Sequence, residues 1–332
     1  MKILSLFDGI SCGRLALERA GIPVEKYYAS EIDKYAIQVA QKNYPDTIQV
    51  GNVTKLNYLE LLDIDMVIGG SPCQDLSIAK QNRQGLRGER SGLFWKYVEA
   101  LEVIRPKWFL LENVASMRKE DRDAITETLK RIYPETECIM INSALVSAQQ
   151  RKRYYWTNWH VEQPQDKGIL LKDIMESDCG FPAAMRTRED ELGKFKRLET
   201  KDAVYEKAQR KYHIDGKMST LTTSTNDEII APQRIGQIGK GGQGDRIYSV
   251  RGKSVCLNAN GGGRGAKTGL YKVDLPDGDY IIRKLTPLEC ERLQTLPDGY
   301  TEGVSNTQRY KAIGNGWTVD VIAWILSQIP KD

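Results

Sequence analysis

The residues best suited to chemistry stand at the ends of short apolar runs. GGSPCQDLS (69–77) follows the run DMVIGG and sets Cys73, a potential thiolate nucleophile, on a loop. WFLLENV (108–114) closes on Glu112, a carboxylate that its apolar neighbours would partly desolvate and that could act as an acid near neutral pH. QQRKRYYW (149–156) supplies Arg151 and Arg153 at i and i+2, which share one face if the segment is a strand. FDGISCG (7–13) lies where a strand would turn into a helix, and its small residues would let a ligand approach the helix N-terminus. SEID (30–33) places Glu31 where an acid in a nucleotide-binding sheet would meet ribose hydroxyls. A thiol and a protonatable carboxylate beside an adenosine-type pocket define a specific constellation.

The elements needed to position them are legible as alternating patterns. KILSLF (2–7), YYASEI (27–32), DMVIGG (65–70), WFLLENV (108–114), CIMINSAL (138–145) and RYYWTN (153–158) read as strands. GRLALERAG (13–21), ending on Gly21, DKYAIQVAQKNYP (33–45), a segment from Gly92 to Arg105, and 120–132 read as helices. The alternation predicts an α/β fold with a mixed, mostly parallel sheet and helices on both faces. Residues 160–282 are rich in Gly, Lys, Arg, Thr and Asp, with loops at GKGGQG (239–244) and NGGGRGAKTG (260–269), and predict a smaller β-rich domain. DGKMSTLTTSTN (215–226) and RGKSVCLNANGG (251–262) form a weak internal echo. TPLECERLQTLP (286–297), with Thr286 as cap and Pro287 at the first helical position, and GWTVDVIAWILSQI (316–329) return to helix. The expected organisation is a catalytic and cofactor domain over 1–159, the second domain over 160–282, and a return segment over 283–332 whose last helix completes the first domain.

Composition limits the remaining classes. The 332 residues carry a net charge of +4, compatible with a nucleic-acid partner but not demanding one. The six cysteines include no C-x-x-C pair, so no metal is expected, and the two histidines disfavour His-cluster mechanisms. No run is long enough to span a membrane and no leader is evident, so the expectation is a cytoplasmic protein.

These segments, in this order, resemble the cytosine-5 DNA methyltransferase family. FDGISCG, SEID, GNVTKL (51–56), SPCQDLS (71–77), ENV (112–114), QQRKR (149–153), RKLTPLECERLQTLPDGY (283–300) and AIGNGWTVDVIAWIL (312–326) are similar to eight of its motifs. The chain departs from the family's usual pattern at Ser11 and Cys12, at Asn52 where an Asp is usual, and at GNGW (314–317), where Gly-Asn-Ser-Val is common. The resemblance implies the S-adenosylmethionine-dependent methyltransferase fold, with 160–282 as target-recognition domain. It implies methyl transfer from S-adenosylmethionine, with S-adenosylhomocysteine as product, to C5 of a flipped-out cytosine in a specific sequence of double-stranded DNA.

The residue roles follow from the same resemblance. Cys73 adds to C6, Glu112 serves N3 and the exocyclic amine, and Arg151 and Arg153 bind O2 and brace the thiolate loop. Phe7, Gly9, Ile10, Glu31, Ile32, Asn52, Pro72, Leu93, Asn315 and Gly316 hold the cofactor. Gln74, Ser77, Lys80, Arg83, Arg87 and Arg90, on a lid over 74–92, together with Thr220 and Leu221, meet the DNA. A monomer is expected, of prokaryotic or phage modification type. An RNA cytosine methyltransferase, a DNA-binding regulator without catalysis and a methyltransferase acting on small molecules remain alternatives; retention of Cys73, Glu112, Arg151 and Arg153 speaks against the second, and the second domain, which a small substrate would not need, against the third.

Overall fold

The computed structural model describes residues 1–71, 93–176, 195–197, 231–238, 242–259, 269–274 and 280–331. The strands of the first half are β1 (Lys2–Leu6), β2 (Lys26–Ser30), β3 (Ile48–Gln49), β4 (Met66–Gly69), β5 (Trp108–Val114), β6 (Glu137–Asn142) and β7 (Lys152–Thr157). They form one sheet in the order β3-β2-β1-β4-β5-β7-β6. β1 to β5 pair in parallel, and β7 runs antiparallel to both β5 and β6. The chain moves outward from β1 to β3 and then crosses back to β4 on β1's other side. The carboxyl ends of β1 and β4 therefore flank the point where the strand order reverses, the place where open α/β sheets bind ligands.

Four helices alternate with these strands: α1 (Cys12–Arg19), α2 (Lys34–Asn43), α3 (Leu93–Ile104) and α4 (Lys119–Ile132). Both faces of the sheet are covered, which explains why its strands read as nearly unbroken apolar runs. On one face Ile3, Ile68 and Leu110 pack with Ala16 of α1. On the other, Leu4, Leu6, Val67 and Leu111 meet Phe94, Tyr97 and Leu101 of α3 and Ile125 and Leu129 of α4. α1 ends on Gly21 at φ +69°, with Gly21 N–H donating to Glu18 O (3.0 Å) and Ile22 N–H to Leu17 O (3.0 Å), a Schellman closure.

A second sheet has the order β12-β11-β10-β9-β8, from β8 (Phe195–Arg197), β9 (Arg234–Ile238), β10 (Arg246–Ser249), β11 (Leu270–Asp274) and β12 (Tyr280–Arg283). β10 and β11 are parallel and the other pairs antiparallel. Of the internal echo, 215–226 lies outside the described residues; in 251–262 Ser254 makes only an isolated bridge to Gln149. The chain returns through α5 (Pro287–Leu293), α6 (Asn306–Asn315) and α7 (Val319–Ser327). Ile322 and Ile325 of α7 join the core beside α1, and an Arg19–Asp320 ion pair (2.7 Å) fastens the two helices.

The structure departs from the sequence-based expectation at several points. The run 138–145 is a strand only to Asn142, whose side-chain oxygen then caps a short 3-10 turn over Ser143–Leu145. Arg151 lies just ahead of β7 rather than on it. α6 is an additional helix, and β12 crosses the expected border at 282/283.

Candidate active site

The loop after β1 is wound tightly. Phe7 (φ +61°), Gly9 (φ +62°) and Ser11 (φ +60°) all adopt left-handed backbone, a strained arrangement for the two non-glycine residues. Asp8 holds it together: its carboxylate accepts from Ser11 Oγ (2.6 Å) and Tyr27 Oη (2.7 Å). Burial pushes the Asp8 carboxyl above the ordinary aspartate range, against hydrogen bonds from Ser11, Ser5 and Tyr27 that favour the charged form. Asp8 was not among the residues expected from sequence. Its signal was only an acid inside a glycine-containing turn.

Glu31, just past β2, faces this loop. Its Oε2 accepts from Gly9 N–H (2.8 Å), and its Oε1 from the N–H groups of Ile32 (2.7 Å) and Asp33 (2.8 Å). Beside it Ile32 is 74% exposed, a large apolar side chain with its surface uncovered. No Cβ contact would arise within 4 Å at Gly9, so the space over the turn is open. An oriented acid, an exposed apolar side chain and an open turn suit an adenosine, so these residues fit S-adenosylmethionine. Asn52 accepts from Thr54 N–H (3.0 Å) and Thr54 Oγ1 (3.0 Å) through Oδ1 and so caps a 3-10 turn. Phe7 and Leu93 are half-buried, and Asn315 is exposed. Ile10 has 0% exposure, packs in the core, and accepts from Tyr300 Oη (2.8 Å) at its carbonyl. Gly316 is buried against Cys12, whose thiol burial pushes up to about 12.

Glu112 and Arg153 meet at the far side of the crevice. Arg153 Nε lies 2.8 Å from Glu112 Oε1, and Trp317 Nε1–H donates to Oε2 (3.2 Å). The neighbouring Asn113 is buried, and its amide donates to Ser71 Oγ (3.2 Å). Ser71 is two residues before Cys73, so β5 holds the root of that loop next to Glu112. Cys73 lies outside the described residues, as do Pro72, Gln74, Ser77, Lys80, Arg83, Arg87 and Arg90, and Thr220 and Leu221.

Arg151 is not beside Arg153's carboxylate. Its buried guanidinium donates to Leu257 O (3.0 Å), Gly314 O (3.3 Å) and Gly316 O (2.8 Å), and its Nη1 lies 3.5 Å from Cys256 Sγ. Burial raises the Cys256 thiol, but the charges of Arg151 and Arg153 outweigh it, and the thiol sits below its ordinary value. Trp317 and Cys256 were likewise not anticipated as site neighbours, because nothing in local spacing joins positions so far apart to Glu112 and Arg153.

Comparisons with known proteins place these features in context. The family model described as C-5 cytosine-specific DNA methylase matches residues 1–331. Type II methyltransferase M.HhaI of Haemophilus parahaemolyticus is 30% identical over 337 residues, covering 99% of this chain and 94% of that protein. Orphan methyltransferase M.SPRI of Bacillus phage SPR is 26% identical over 430 residues, covering 99% and 97%. Among solved structures, the Dnmt2 methyltransferase of S. pombe superposes with a TM-score of 0.65 at 15% identity, covering 98% of this chain and 97% of that one. The Entamoeba histolytica methyltransferase EhMeth gives 0.64 at 16% identity, covering 98% and 96%.

Proposed function

Because the chain belongs to the C-5 cytosine-specific DNA methylase family, a DNA (cytosine-5-)-methyltransferase dependent on S-adenosylmethionine, we propose that it works through a covalent bond between Cys73 and C6 of a cytosine flipped out of duplex DNA. The observation that carries this reading is the Glu112–Arg153 pair at the end of β5, one residue from the Asn113 that ties down Ser71 and the root of the Cys73 loop.

The chemistry requires such a pairing. C5 of cytosine is a poor nucleophile, and addition of a thiolate at C6 turns the ring into an enamine whose C5 can attack a methyl group. When bound, S-adenosylmethionine supplies that methyl as an electrophile. Glu112 meets N3 and the exocyclic amine, and balances the charge that develops on the ring. Arg153 holds the Glu112 carboxylate and would meet O2. Arg151 serves the site through the backbone it brackets at Gly314 and Gly316. Loss of the C5 proton to a base then allows Cys73 to be eliminated. None of these groups could reach a stacked base, hence the flipped cytosine.

Glu31, Ile32, Gly9, Phe7 and Asn52 would hold the adenosine part of the cofactor, Asn315 and Gly316 the methionine end, and Pro72 and Leu93 the floor. Residues 74–92 would meet the DNA, Lys80, Arg83, Arg87 and Arg90 through its phosphates and Gln74 and Ser77 beside them. The segment 160–282 reads the target, with Thr220 and Leu221 near the base.

A duplex with 5-fluorocytosine at the target tests the mechanism. Fluorine cannot leave as the proton does, so the cycle should stop with enzyme and DNA joined. The adduct should require S-adenosylmethionine, survive denaturing electrophoresis and map to the peptide holding Cys73. Cys73→Ser should form none, while Cys12→Ala, Cys138→Ala, Cys179→Ala, Cys256→Ala and Cys290→Ala should still form it. An adduct on a different cysteine would show that the nucleophile is misassigned.

A further inference from the structure

Trp317 stands where the chain departs from the family's common last motif, and it touches the carboxylate on which the proposed chemistry depends. Its indole N–H donates to Glu112 Oε2 at 3.2 Å, while Arg153 occupies Oε1 at 2.8 Å. The two donors fix both ends of the carboxylate and hence its plane. Gly70 completes the fit: a Cβ there would come within 2.8 Å of Glu112 Oε2 and 2.9 Å of Trp317 Nε1, so only glycine lets the indole and the carboxylate meet. On its other side the ring packs toward Gly13, whose ideal Cβ would lie 3.4 Å from Trp317 Cζ3.

The backbone on either side of the indole is held by buried side chains. Gly316 O accepts from Arg151 Nη2 (2.8 Å) and Gln294 Nε2 (3.1 Å). Thr318 Oγ1 donates to Gln294 Oε1 (2.8 Å) and accepts from Ser143 Oγ (2.9 Å). Arg151, Gln294, Thr318 and Ser143 are all buried. A donor carried on a backbone fixed at both flanks loses little freedom when it engages its acceptor, which is what preorganisation requires.

We propose that Trp317 is a positioning residue for Glu112, holding the carboxylate in the plane in which it meets the flipped cytosine. The inference rests on the reading of Glu112 given above. It also explains what the buried Arg151 contributes: the guanidinium fixes Gly316, Gly316 fixes the indole, and the indole fixes the carboxylate.

The test separates orientation from binding. Trp317→Phe keeps an aromatic ring and removes the N–H. Loss of one hydrogen bond to a charged group should slow single-turnover methyl transfer about ten-fold, with KM for S-adenosylmethionine and for DNA within about two-fold of wild type. In a Glu112→Ala background, where no carboxylate remains to orient, the same substitution should change the rate by less than about two-fold. An equal loss in both backgrounds, or a raised KM with an unchanged rate, would overturn the proposal. If Glu112→Ala alone costs nothing, the fault lies with the reading of Glu112 instead. Indole N–H resonances provide a second measurement that does not depend on Trp317→Phe folding. Of the signals from six tryptophans, one should move upfield in Glu112→Ala, and it should be the one absent from Trp317→Phe if that variant folds. A spectrum in which no indole N–H moves in Glu112→Ala would also overturn the proposal.

Discussion

Asn52 shows how one atom can decide a cofactor contact. Its Oδ1 is taken by Thr54 N–H and Thr54 Oγ1, which leaves only the donors of the amide for a ligand. The exocyclic amine of adenine is itself a donor, so Asn52 can serve the adenine only by donating to a ring nitrogen and leaves the amine without an acceptor. Asn52→Asp keeps the cap, since Asp and Asn cap equally well, and adds an anionic oxygen that can accept. S-adenosylmethionine should bind about three- to ten-fold more tightly in calorimetry; weaker binding would remove Asn52 from the adenine edge. Glu31, Glu112 and Arg153 could be read from sequence because each sits at a strand end or inside a short motif. Arg151 was legible in the same way, within QQRKR, but its partners were not, and neither was the contact of Trp317 with Glu112. A guanidinium's acceptors at Leu257 and Gly316 are more than a hundred residues away, and no local periodicity encodes them.

At the level of elements, capping chemistry transferred well from sequence to structure. α5 begins with the expected capping box: Glu289 N–H donates to Thr286 Oγ1 (3.2 Å), and Thr286 N–H to Glu289 Oε2 (2.9 Å). Glu289 is also paired with Arg283 (2.7 and 2.6 Å) and buried. Thr286→Ala should therefore lower stability by about 1–2 kcal/mol, read as an earlier urea-unfolding midpoint with cofactor affinity unchanged. An unchanged midpoint would mean that Arg283 alone holds the helix start. Hydrophobic pattern was less informative where tertiary contacts decide. The apolar run 138–145 looked like one strand because Ala144 and Leu145 are buried, yet Asn142 ends the strand with its own side chain. α6 went unread for the converse reason. NTQRYKAIGN offers a thin apolar stripe, and the helix is secured from outside by Lys311–Asp33 (2.5 Å) and Arg309–Glu291 (2.9 Å) ion pairs.

On the scale of the whole molecule, the chain leaves the large sheet after β7, builds the small one and returns to seal the first core with α7. The composition shift near 160 announced the excursion, but the order of its strands and the parallel β10–β11 pair depend on pairings that no local signal records. If 160–282 reads the target, exchanging it for a relative's segment should change the methylated sequence, as bisulfite sequencing would show, while S-adenosylmethionine affinity stays within about two-fold. An active chimera with the original specificity would remove that role. The seam between the two parts sets the terms of such an exchange. Lys253 is buried and donates to the carbonyls of Ala144 (2.7 Å), Ser147 (3.1 Å) and Ile169 (2.6 Å), burial pulling its amine below the ordinary lysine value. Arg151 crosses the other way to the carbonyl of Leu257. Every acceptor in these bonds is main chain, which each residue type provides alike. In these four bonds the joint asks only for two cationic side chains, while Gln149 Oε1, which accepts from Leu257 N–H (3.3 Å), and Cys256 Sγ, 3.5 Å from Arg151, add contacts that do depend on residue type. If 160–282 reads the target, a segment joined largely through main-chain acceptors can change its own sequence while the large sheet it packs against keeps its own.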